Sequence, residues 1–209
     1  MSSYGAQFGD RWRKLSPRCF LAAGVLLFGH AVSMGIRAFS EIPTPVDLFA
    51  PLGHLLAVVG VLGLYSVAVT RSQIYARISG FVSVASATAW SLIVYAQLSQ
   101  IITFLPTWPD EFTATLSVFV MVTTIFAYLG FGTITIAVSD VSRDLGVLVL
   151  APAGLFAIVI ASVALIGPSS AVGFVVGSGL TLCYVALGYR LEHASGVRTP
   201  LANVAEPAS

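Results

Sequence analysis

The chain has 209 residues, of which 57% are hydrophobic and 9% charged, with a formal net charge of +1. Soluble domains carry about 25% charged residues, so this chain lacks the polar surface that a water-soluble fold needs. A soluble catalytic domain and a nucleic-acid-binding domain are excluded, and the bilayer is left as the solvent.

Residues 1–18 read as a basic N-terminal tail, with Arg11, Arg13, Lys14 and Arg18 ahead of the first apolar run. That run, over 19–39, is too long for the hydrophobic region of a signal peptide and reads as a retained first span. The stretch 40–65, SEIPTPVDLFAPLGHLLAVVGVLGLY, starts as an acidic, proline-punctuated loop and turns apolar at Phe49-Ala-Pro-Leu-Gly. It opens a second span over 49–70. Further spans are expected over 78–104, 112–138, 145–167 and 170–190. The span over 112–138 is rich in β-branched residues, but a strand in lipid leaves its backbone groups unpaired, so helix is expected. Residues 191–209 form a C-terminal tail. The expected fold is all-α: a polytopic integral membrane bundle of six transmembrane helices.

Loop charges orient it. Nine of the ten basic residues, all except Arg37, fall on one side of a six-span chain. Glu41, Asp47, Asp110 and Glu111 fall on the other. Cytoplasmic loops carry the excess of Lys and Arg, so both termini are expected in the cytoplasm of a cell-membrane protein.

Small residues at helical spacing are expected to let backbones approach: Ser83, Ala87 and Ser91 in span three, Ala153, Ala157 and Ala161 in span five, and Gly173 with Gly177 in span six. Cys19 and Cys183 read as small buried hydrophobes. Ala50-Pro51-Leu52-Gly53 recurs as Ala151-Pro152-Ala153-Gly154. That recurrence suggests a weak 3+3 inverted repeat of the kind transporters use.

Polar groups gather at one depth. With about 1.5 Å of rise per residue, His30 lies about 13 Å below the outer end of span one and His54 about 7 Å below that of span two. Gln97 and Gln100 occupy the outer half of span three, and Arg37 stands at the rim. Imidazoles and amides facing lipid are costly, so these groups are expected to point inward. His30, Arg37, His54, Gln97 and Gln100 are thus candidate ligand-binding residues of an outward-facing vestibule. Two histidines on adjacent helices also suggest a bis-His haem b, although their depths differ by about 6 Å.

Gly177-Ser178-Gly179 resembles the serine motif of the rhomboid proteases. Val176 stands in place of that motif's first glycine, and His30 and His54 precede the serine rather than follow it. The resemblance fails on motif and on order, and no catalytic residue or metal site is expected. The leading expectation is a non-enzymatic accessory or scaffold subunit, packed in the bilayer against a membrane-protein partner or its own copies. A small-solute or ion carrier comes second and a haem protein third.

Overall fold

The computed structural model describes residues 3–40, 47–102, 104–137 and 143–196. Seven helices follow one another: α1 (Ser3–Phe39), α2 (Phe49–Leu62), α3 (Tyr65–Arg71), α4 (Gln73–Ile101), α5 (Asp110–Ala137), α6 (Arg143–Ile166) and α7 (Ser170–Gly196). Among the described residues there is no strand. Five helices are long and apolar enough to cross a membrane: Lys14–Phe39 of α1, α4, Glu111–Ala137 of α5, α6, and Ser170–His193 of α7. At about 1.5 Å per residue, each exceeds a hydrocarbon core of about 30 Å. The protein is a multi-pass helical membrane bundle. Glu41 and residues 197–209 of the expected tail lie outside the described residues.

The expected second span is broken. A turn at Gly63 and Leu64 separates α2 from α3, with Gly63 N–H donating to the Gly60 carbonyl at 3.0 Å and Leu64 N–H to that of Val61 at 2.9 Å. The Gly60 carbonyl also accepts from Ser16 Oγ on α1 at 2.7 Å, so its second lone pair ties the end of α2 to α1. In place of one long span the chain has α2, an apolar helix of 14 residues, followed by the seven-residue α3.

The helices form a ring in chain order. α1 packs on α2 and α7, α2 on α4, α4 on α5, α5 on α6, and α6 on α7, while α3 lies against α4 and α5. Phe20, Leu27, Val58, Val61, Tyr128, Phe131, Tyr184 and Leu187 fill the interior. Phe28, Phe81, Phe119, Phe126 and Leu165 face outward, where lipid tails solvate them as well as a protein core would.

The glycines of α7 work as expected. A methyl group on Gly173 would press on Met34, and one on Gly177 on His30 and Ala31, so α7 seats directly against α1. Two other stripes do not. Ala157 and Ala161 face outward, and α6 buries Val149, Pro152, Ala153 and Phe156 instead. Ser91 is also exposed, and the buried side of α4 runs through Ser79, Ser83, Ser86, Trp90 and Ile93. Cys19 and Cys183 are free thiols and half-buried.

The recurrent proline motif occupies unlike places. Pro51 is in the first turn of α2, where no N–H is needed, whereas Pro152 lies well inside α6. Gly53 is buried against Leu27 and Ala23, while Gly154 has open space around it.

Candidate functional site

At one end of the ring lies a cavity with a polar wall. On α1, His30, Met34 and Arg37 are spaced by four and three residues and so share one side of the helix. Asp47 and Ala50 contribute from the start of α2, and Gln97 and Gln100 from the last turns of α4. These seven side chains line a cavity of about 340 Å³.

Asp47 organises it. Its Oδ1 accepts from the Phe49 N–H at 3.0 Å, which holds one of the orphan donors at the start of α2. Its Oδ2 meets His30 Nδ1 at 2.5 Å. The side chains of Asp47 and His30 are only 8% and 16% exposed. Burial alone would raise the Asp47 pKa, but the His30 hydrogen bond and charge, with the amides of Phe49 and Ala50, hold it below its ordinary value. Asp47 is thus a carboxylate, and His30 Nδ1 carries the proton between them. On its far side, the His30 ring rests against Gly177 of α7.

Gln97 contributes an unsatisfied acceptor. Its Oε1 is buried and has no hydrogen-bond partner. Gln100, one turn nearer the rim, is exposed. Arg37 is exposed as well and lines the same cavity.

His54 stands apart from the wall. It lies four residues beyond Ala50, about 6 Å deeper along α2, and is 6% exposed. Its ring packs between Trp90 at 4.6 Å and Phe156 at 4.9 Å, centroid to centroid. His54 Nδ1 is buried without a partner. Of the five expected residues, His30, Arg37, Gln97 and Gln100 therefore share one cavity, and His54 belongs to an aromatic layer beneath it.

Asp47 is the residue missed at the sequence level, although an aspartate two positions before a helix start is a recognisable capping signal. The layer around His54 was missed too. Trp90 Nε1 donates to Thr124 Oγ1 at 3.0 Å, and Thr124 in turn donates to the Val120 carbonyl at 2.6 Å. A hydroxyl has one proton, so Ser86, at 2.7 Å from Thr124, is the donor in that pair. One turn further along α5, Tyr128 Oη donates to Tyr184 Oη at 2.9 Å, and both rings are fully buried. Ser83 and Thr135 are buried but bond the Ser79 and Phe131 carbonyls of their own helices.

A bis-His haem does not fit these residues. Both imidazoles would have to face one shared space across an iron. His30 lines the cavity and His54 does not, so the two imidazoles do not border one shared space.

No family model, no curated protein and no solved structure matches this chain.

Proposed function

We propose that this multi-pass membrane protein binds a small polar ligand, or the polar part of a larger one, in the cavity between α1, α2 and α4, and acts as its carrier. The observation that supports this reading is the buried, unpartnered Gln97 Oε1 beside the His30–Asp47 pair. An unsatisfied buried acceptor costs about 1–3 kcal/mol, and a ligand bearing an N–H or O–H donor removes that cost. The His30–Asp47 pair fixes the opposite wall, so the site is preorganised around such a donor.

The reading also has an orientation. Lys14, Arg18, Arg77, Arg143 and Arg190 sit at the end of the bundle opposite the cavity. By the distribution of positive charge the cavity opens away from the cytoplasm. Passage further in would require the His54–Trp90–Phe156 layer to part, exposing the hydroxyls of Ser86, Thr124, Tyr128 and Tyr184. An accessory-subunit role has no comparable feature behind it, because lipid alone accounts for the apolar outer surface.

Thermal unfolding of the detergent-solubilised protein with glycerol, glycine or methylammonium tests the reading. At least one solute should raise the midpoint of the wild type more than that of Gln97→Leu. Identical responses of the two proteins to all three would count against a donor-binding site at Gln97.

A further inference from the structure

We propose that the ligand is a neutral, single-chain amphiphile, its hydroxyl-bearing head held at Gln97 and Asp47 and its chain lying along Val159, Val163 and Val172. The inference rests on the binding-site reading above and adds the chemical class of the ligand. Its basis is a second cavity of about 320 Å³ on the α6 and α7 side of α1. Met34 and Arg37 line both cavities. Three residues apart on α1, they present one side of the helix, so the two lobes are neighbours on either side of Met34 and Arg37.

The lobes differ in chemistry. The first carries an imidazole, a carboxylate, a guanidinium and two amides. The second is walled mostly by valines 159, 163 and 172, with Met34, Pro168 and Gly173, and its polar groups are the hydroxyls of three serines and, on the side shared with the first, the Arg37 guanidinium. A polar lobe that adjoins one apolar lobe matches a molecule with one head and one chain. The head is neutral because Asp47 is already engaged by His30 and Arg37 by a contact of its own, so a singly charged head would find no uncommitted counter-charge in a half-buried site. Hydroxyl groups suit it best, since they donate to Gln97 Oε1 and accept from the amide of Gln100.

Photolabelling with a medium-chain monoacylglycerol carrying a diazirine on the chain, in phosphatidylcholine vesicles, tests the inference. The probe should label α6 and α7 peptides containing Val159, Val163 and Val172. Labelling should fall in Gln97→Leu, at the head, and in Val163→Trp, which fills the chain lobe at a half-exposed and therefore tolerant position. Val172→Phe serves if Val163→Trp does not yield a monodisperse protein. Probes of the same chain with a carboxylate or an amine head should label those peptides less. Equal labelling by all three heads, or labelling confined to outward side chains such as Phe81 and Phe119, would overturn the amphiphile. If the probe fails on α6 while a soluble solute still stabilises the protein through Gln97, the amphiphile alone is overturned. If neither effect is seen, the cavity reading falls with it.

Discussion

His30 Nδ1 and Asp47 Oδ2 meet at 2.5 Å across the junction of α1 and the start of α2. The same carboxylate receives the Phe49 N–H, so one side chain both starts a helix and fixes an imidazole. Replacement by asparagine keeps a helix-capping acceptor and loses the charge, whereas alanine loses both. Asp47→Ala should therefore lower the unfolding midpoint more than Asp47→Asn, by a margin on the order of a cap, about 1 kcal/mol. Thermal unfolding of the two variants in detergent is the check, and equal midpoints would show that the carboxylate does not hold the helix start.

The depressed pKa of Asp47 gives a pH dependence of defined sign. A carboxyl whose folded pKa lies below its unfolded value of about 3.9 contributes stability that is present above that value. The contribution is lost as pH falls through the folded pKa. Wild-type stability should thus drop below about pH 4 more steeply than that of Asp47→Asn. Midpoints measured from pH 7 down to about pH 3 would show parallel curves if Asp47 were an ordinary surface acid.

Gly177 tests how closely α7 must approach α1. A side chain there meets His30 and Ala31, whereas Val175, on the same helix, is 65% exposed. Gly177→Leu should cost about 1–3 kcal/mol, as overpacking does, and should displace His30. Val175→Leu should change little. Aggregation temperatures in detergent would separate the two, and coincident values would remove the close-packing claim.

Thr124 joins α4 to α5 by accepting from both Trp90 and Ser86. Thr124→Val keeps the shape and strands two buried donors, at about 1–3 kcal/mol each. Thr124→Ser should restore most of the loss. A Thr124→Val protein as stable as wild type would mean that the three hydroxyl and indole groups are not coupled.

Much of this was legible from hydrophobic runs and depth counting. Five long spans follow from uninterrupted apolar sequence, and His30, Arg37, Gln97 and Gln100 fall together because their depths agree. The break at Gly63 was not legible, since a glycine in an apolar run reads like any glycine of a membrane helix. The outward stripe of Ala157 and Ala161 was misread for a related reason. Lipid and protein interior are equally apolar, so alanine periodicity does not say which side is buried. His54 shows the remaining limit: residue counting put it about 6 Å nearer the rim than His30, but His30 meets Asp47 ahead of α2, and His54, inside α2, lies deeper, beneath the cavity.

The proposed orientation, with the cavity on the non-cytoplasmic side, is checked by cysteine labelling at Ser2 and Thr107 in intact cells. An impermeant reagent should reach Thr107→Cys and spare Ser2→Cys. The reverse pattern would invert the topology and turn the cavity toward the cytoplasm.

The most direct test of the central claim is the reactivity of a cysteine at Gln100, which is exposed and lines the cavity. With Cys19 and Cys183 replaced by serine, Gln100→Cys should react with a small water-soluble methanethiosulfonate. A solute that stabilises the protein through Gln97 should slow that reaction and leave the rate at Thr107→Cys unchanged. If such a solute leaves the Gln100→Cys rate unaltered, or slows both positions alike, the cavity between α1, α2 and α4 is not the ligand site.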